Sequence, residues 1–355
     1  MKRIVVCAMV LALALAVASC GPATGGGKQE LAKELHVYNW SEYIDPEIYA
    51  DFEQEFGVKV IEDTFASNED LLAKLQAGAT GYDLIVPSDY MVAIMRELDL
   101  LSPLNFDNIP NFKNISAKFK DPPYDPGNKY SVPYQWGTTG IGYDTNVFDE
   151  APDSWAYLFD PQTASQYAGK FSMLNDSREA IGAALKYLGY SLNSTDENQL
   201  QEAKQLLIQQ KQWVATYDSE GFEDLLAAGE TVLAHGWSGD FFQAAVEADQ
   251  VWYTIPEEGG VIWTDNLAIP KTAASQYTAE VFIDYLLRPD VGAKVTNFTW
   301  YGSPNAAAEE FIDPDILGEP AIYPPPEVMD KLEFIRDVGE ATTLYDRIWT
   351  EIKTE

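Results

Sequence analysis

The chain has 355 residues, 56 Asp and Glu against 23 Lys and Arg, and a formal net charge of −33. That balance excludes a nucleic-acid partner, whose phosphates need a basic surface. The 20 Tyr, 16 Phe and 9 Trp exclude a disordered acidic chain and point to a globular one.

At the N-terminus Lys2 and Arg3 precede the apolar run IVVCAMVLALALAVA, which closes on VASC, Val17 to Cys20. Positive n-region, short h-region and small residues before a cysteine resemble, in that order, the leader and lipobox of bacterial lipoproteins. The expectation is a signal peptide over 1–19, cleavage after Ser19, lipidation of Cys20 and a flexible tether over 20–34, rich in Gly and polar residues. Cys7 would leave with the leader, and Cys20 alone allows no intramolecular disulfide, no Cys-based zinc site and no catalytic thiol. About 335 residues remain, enough for two domains rather than one core.

Strand and helix signals then alternate. ELHVYNW is a strand. DPEIYADFEQEFG is a helix with Asp45 as N-cap, Pro46 at its first position and Gly57 as its stop. VKVIEDTF is a strand, SNEDLLAKLQAG a helix capped by Ser67 or Asn68, and YDLIVPS a short buried strand. This rhythm predicts a parallel sheet with helical crossovers, in which ligands sit beyond the carboxyl ends of strands. Further on, KYSVPYQWGTTGIGYD reads as two strand-like runs around Gly137. GKFSMLND, TVLAHGW, VWYTIP and GVIWTDNLAIP read as strands. SREAIGAALKYLG and NQLQEAKQLLIQQKQ are helices, the second with Leu200, Ala203, Leu206 and Leu207 on one face. TAEVFIDYLLRPDVGAKV is helical with a break near Pro289. There is no repeat and no long linker, which fits two α/β lobes joined by more than one strand crossing.

The strand ends share a composition. VYNWSEY presents Trp40, Ser41, Glu42 and Tyr43; VPSDY presents Ser88 and Tyr90; FSMLNDSRE presents Asp176 and Glu179. LAHGWSGD adds Trp237 and Asp240, VIWTD adds Trp263 and Asp265, and WYGSPN adds Tyr301. Aromatic faces cover methylene chains and attract cations, and carboxylates accept charge-assisted hydrogen bonds from ammonium groups. A cleft so lined, without clustered Lys or Arg, suits a flexible ligand with several positive charges and an apolar stem. The same pairs, Asp176 with Glu179 or Asp240 with Asp265, could also serve acid–base chemistry in a glycoside hydrolase. Against that, the chain lacks H-E-x-x-H, G-x-S-x-G and S-x-x-K. His36 and His235 fall inside strand-like runs, where core packing is the expected role. An oligosaccharide receptor would also use stacking tryptophans but needs fewer carboxylates.

These residues carry a resemblance. YNWSEYI, SNEDLLAKL, YDLIVPS, KYSVPYQWGTTGIGY, ALKYLGYSLNSTD, LLRPDV and IYPPPEV resemble the bacterial spermidine/putrescine-binding proteins, over nearly the whole chain from about residue 35. The resemblance implies a type II periplasmic-binding-protein fold, α/β and two-lobed, with a ligand cleft between lobes and strand crossovers as hinge. It implies one lobe from 35–139 plus 264–309 and a second from 140–263 plus 310–355. It implies a monomeric receptor with no cofactor or metal that captures a polyamine and delivers it to the permease of an ABC transporter, held to the membrane at Cys20. Trp40, Trp237, Trp263 and Tyr301 would cover the methylene chain. Glu42, Asp176, Glu179, Asp240 and Asp265 would neutralise ammonium groups, and Ser41, Tyr43, Ser88 and Tyr90 would orient them. At least one carboxylate should be protonated, hydrated or peripheral, because unpaired charge is costly to bury. Trp263 and Tyr90 resemble the spermidine-preferring members and Asp240 the putrescine-preferring ones. Ile335 stands where spermidine-preferring members place a glutamine. Another amine, an oligosaccharide or a hydrolysable glycoside remains the alternative ligand.

Overall fold

The first ninety residues of the folded part form as their local signals dictate. The computed structural model describes residues 29–78 and 80–354, so the leader, Cys20 and the first part of the expected tether lie outside the described residues. The chain is fixed slightly earlier than expected: the Ala32 amide donates to Thr278 Oγ1 at 2.8 Å. Strand β1 spans Glu34–Trp40, helix α1 Pro46–Phe56, β2 Lys59–Phe65, α2 Asn68–Gln76, β3 Leu84–Ile85 and α3 Asp89–Glu97. The Asp45 side chain caps α1 by accepting the Glu47 amide at 2.9 Å. Gly57 ends it at φ +70°, a left-handed conformation that costs glycine little. Ser67, not Asn68, caps α2. The Asn68 amide group is thereby free for a tertiary role. β1 pairs in parallel with both β2 and β3.

The rest comprises β4 (Ser131–Asp144), β5 (Phe171–Met173), α4 (Ser177–Tyr187), α5 (Glu197–Lys211), β6 (Thr216–Tyr217) and α6 (Phe222–Ala227). These lead to β7 (Leu233–Trp237), α7 (Ser238–Glu247), β8 (Val251–Thr254), β9 (Val261–Ala268), α8 (Gln276–Leu286), α9 (Pro289–Thr299), β10 (Glu333–Phe334) and α10 (Thr342–Thr354). Strand order is β2-β1-β3-β9-β4-β7-β5-β6, with β8 on β4 and β10 on β9. The two runs expected around Gly137 are one continuous strand. β4 pairs antiparallel with β9 over its first part and with β7 and β8 over its last. Gly137 does not turn the chain. Its missing side chain makes room, since a Cβ there would sit 2.7 Å from Trp263 Cζ2 and 2.8 Å from Tyr301 Cδ1.

The apolar core is divided accordingly. One cluster gathers Leu35, Val37, Phe52, Leu84 and Phe282 on the β1 side. Two others gather Phe159, Phe171, Ile181, Leu207 and Ile348, and Phe222, Phe241 and Tyr253, on the β7 side. Each such fully buried side chain stabilises its cluster by about 1.5–3 kcal/mol. Leu200, Ala203 and Leu207 are buried as the periodicity of α5 predicts, while Leu206 lies at the rim. His235 is a core residue, fully buried, edge-on to Trp155 and pushed down to about 3 by burial. His36 is not: it is partly exposed, with Nε2 3.8 Å from Glu34.

Candidate ligand-binding cleft

Between these cores lies a cavity of about 800 Å³, its open mouth included, and all thirteen residues singled out from the sequence line it. The loop after β1 supplies four. The Trp40 indole donates to the Val86 carbonyl at 2.9 Å, which fixes its ring 4.5 Å from Phe65 and edge-on to Trp237 at 5.6 Å. Ser41 and Glu42 are exposed at the mouth. Glu42 takes φ 52°, a left-handed conformation uncommon for a side chain of its kind, and the chain turns there. Tyr43 is buried again, with its carbonyl accepting from Tyr134 Oη and Gln135 Nε2.

The loop after β3 supplies Ser88 and Tyr90. Asn68 grips Ser88 twice, accepting its amide at 3.0 Å and donating to its hydroxyl at 2.9 Å. That hydroxyl then donates to Asp265 Oδ1 at 2.6 Å. Tyr90 donates to Glu69 at 3.0 Å. Asp176 is the N-cap of α4, its Oδ1 accepting the Arg178 and Glu179 amides at 2.9 and 3.0 Å. Glu179 Oε1 accepts from Thr139 Oγ1 at 3.1 Å and from the Trp237 indole at 3.2 Å. Asp240 opens α7 with the Tyr301 hydroxyl beside it. Only a glycine at 239 allows this approach, because a Cβ would stand 2.5 Å from the Thr299 carbonyl and from Tyr301 Cε2.

Two placements differ from expectation. Trp263 and Asp265 lie inside β9, not beyond its end; the alternation of the strand and the crossing of β4 bring them to the cavity. Tyr301 follows a helix rather than a strand: Trp300 closes α9 at φ 57° and the chain reverses into the cleft. Other lining residues carry no site signal in the sequence, among them Phe65, Asn68, Phe222 and Glu223, while Asp89 stands in the VPSDY strand end. Asn68 reads locally as a helix cap, and Glu223 falls in a stretch for which the sequence predicts no element. Asp89 is structural: its carboxylate accepts the Tyr90 and Thr264 amides. Ile335, at the position where spermidine-preferring members place a glutamine, also lines the cavity. Behind the lining, buried Arg178 donates to the Arg336 carbonyl at 3.0 Å and to Asn193 at 3.1 Å, and lies over the Tyr345 ring.

Eight lining residues are acidic, eight are aromatic and none is Lys, Arg or His. Burial pushes the carboxyls of Asp265 and Asp89 up to about 7 and about 8, Ser88 and backbone amides respectively opposing the shift. Burial also raises Asp176, Glu179, Glu69, Glu223 and Asp240, and neighbouring carboxylates add to it at Glu179, Glu69, Glu223 and Asp240. Without a counter-cation such groups favour the protonated form; a cation in the cavity would reverse that. Among the described residues no group of three or more His, Cys, Asp or Glu is arranged to hold a metal ion.

A divided α/β core, long strands crossing between its parts and an enclosed polar–aromatic cleft define a two-lobed solute-binding protein. The chain belongs to the bacterial extracellular solute-binding protein family, whose sequence pattern matches residues 47–322. It is 36% identical over 324 residues to the spermidine/putrescine-binding periplasmic protein of Salmonella typhimurium, covering 90% of this chain and 91% of that one. The substrate-binding protein PotD of a Streptococcus pneumoniae spermidine/putrescine ABC transporter is 33% identical, with a TM-score of 0.75 over 91% of this chain and 99% of that one. The TpPotD lipoprotein of Treponema pallidum is 31% identical, with a TM-score of 0.79 over 91% of this chain and 100% of that one. Among the described residues no helix is long and apolar enough to cross a membrane.

Proposed function

We propose that this protein is a non-catalytic polyamine receptor that delivers spermidine or putrescine to the permease of an ABC transporter. The observation that carries the reading is the cavity wall itself, eight carboxylates and eight aromatic rings with no basic side chain among them. A polyamine supplies both missing complements, ammonium donors for the carboxylates and methylenes for the rings. Trp40, Trp237, Trp263 and Tyr301 cover the methylene stem. Glu42, Asp176, Glu179, Asp240 and Asp265 take the charges, and Ser41, Tyr43, Ser88 and Tyr90 orient them. The raised carboxyls give up protons as the cation enters. Asp176, committed to capping α4, and Glu179, held by two donors, are fixed acceptors suited to holding a ligand rather than cleaving one.

The lobes are taken as 35–139 plus 264–309 and 140–263 plus 310–355; most of one apolar cluster falls in the first and most of two others in the second, with Leu192, Val261, Trp263 and Ile335 crossing one way and Ala293 and Ala308 the other. Contacts such as Trp40 with Trp237, and Gln243 with the Glu42 carbonyl, would join the lobes in the closed state and make closure the signal to the permease. The leader, the lipid at Cys20, an extracytoplasmic location and a monomeric state complete the reading; the likeness to a lipoprotein supports the anchor.

Calorimetric titration of the chain begun just after Cys20, with putrescine, cadaverine, spermidine and spermine, tests it. One-to-one binding of one or two of these is expected. A ligand at a hundred times its dissociation constant stabilises by about 2.7 kcal/mol, so the absence of both heat and thermal stabilisation with every polyamine overturns the reading.

A further inference from the structure

We propose that Glu223 is a further, specificity-determining ligand contact: with Glu42 and Asp240 it forms the acceptor set for a terminal primary ammonium. The proposal rests on the polyamine reading above and goes beyond it by assigning one end of the ligand to a carboxylate outside the thirteen residues.

Glu223 lies in the first turn of α6, lines the cavity and is only 9% exposed. Its Oε2 is buried without a hydrogen-bond partner among the described residues. Glu179 Oε2 is open in the same way, but Glu179 Oε1 already holds a hydroxyl and an indole, Asp176 holds two amides and Asp265 the Ser88 hydroxyl. A buried acceptor left open in this way is costly unless something that binds later supplies the donor. The acidic groups that act on Glu223 are Asp240, Asp224 and Glu42, and two of these line the same cavity.

Its other conceivable role is to complement the start of α6. Asp224 occupies the same first turn, is exposed and supplies that charge without desolvation. A buried carboxylate beside it adds little for the helix. For the ligand the arithmetic is direct: a primary ammonium carries three N–H donors, and Glu42, Asp240 and Glu223 offer one carboxylate to each. A secondary ammonium has only two.

The test compares wild type with Glu223→Gln and Glu223→Ala in spermidine titrations at pH 7.5, run in two buffers of different ionisation enthalpy to count protons exchanged. Glu309→Gln, which removes an exposed charge, serves as control. Both Glu223 variants are expected to bind at least tenfold more weakly and to release fewer protons, with ligand-free melting temperatures at or above that of wild type. Wild-type affinity and proton release in both variants would overturn the assignment, as would an equal loss in Glu309→Gln. Absence of binding by wild type would instead bring down the polyamine reading itself, an outcome separate from a variant that binds normally.

Discussion

The two groups of acids in the cleft are built differently. Around α4, Asp176 and Glu179 accept hydrogen bonds from protein groups, Glu69 outside the cavity lining accepts from Tyr90, and Arg178 lies buried behind them. At the mouth and α7, Glu42 is exposed on a left-handed turn, Glu223 has an open buried oxygen and Asp240 has the Tyr301 phenol beside it. The first group is oriented before any ligand arrives, and little reorganisation is needed there on binding. The second is held by fewer protein donors and leaves more for the ligand to supply. The contrast teaches that one cleft can combine a fixed anchor with a responsive end. Burial raises carboxyls at both ends, so proton linkage is shared between them, while the second end leaves more acceptors for the ligand to satisfy.

Loss of Asp265, which holds the Ser88 hydroxyl, should be the largest blow. Asp265→Ala removes a buried acceptor and leaves the Ser88 hydroxyl proton without one, so spermidine affinity should fall by about 2–5 kcal/mol in calorimetry. An unchanged dissociation constant would remove Asp265 from the site. Next comes the pH dependence of the ligand-free fold. Unfolded carboxyls titrate near 4, whereas Asp265 and Asp89 are pushed up to about 7 and about 8 by burial. The folded state therefore holds these protons more tightly. Their stabilisation is complete below about pH 4 and is lost as pH rises through 7 and 8. Melting temperature should fall from pH 6 to pH 9 in the absence of ligand, and saturating spermidine should flatten the slope; a flat ligand-free profile would refute the linkage.

Glu179→Gln probes the fixed anchor. It keeps the volume and an acceptor for Thr139 and Trp237 but removes the charge, and should cost about 1.5–3 kcal/mol of binding. If it costs less than Glu223→Gln, the ranking of anchor over responsive end is reversed. The smallest change is Ile335→Gln at the cavity wall, beside the Arg336 carbonyl that takes Arg178. One added acceptor should improve spermidine relative to putrescine by about 0.5–1.5 kcal/mol. Paired titrations with the two amines measure it, and an unaltered ratio would mean the side chain does not reach the ligand.

By itself the sequence determined what is local. The Asp45 and Ser67 caps, the Gly57 stop and the break at Pro289 rest on interactions within a few positions, and the alternation of short strands and helices in the first hundred residues implies their parallel pairing. The recurring aromatic–carboxylate stretches likewise marked thirteen cavity residues, because no core or helix cap calls for that mixture so often. Tertiary structure decided what depends on distant partners. Gly137 reads as a break, yet the rings of Trp263 and Tyr301 are what require it. Trp263 and Asp265 face the cleft from mid-strand because β4 crosses beside them. Asn68 reads as a helix cap and Glu223 carries no local signal, and only the fold shows one holding Ser88 and the other buried in the cavity wall. Hydrogen bonding and periodicity act over a turn or a strand and are written in order along the chain; burial depends on which remote segment arrives opposite, and that is set only when the whole chain has packed.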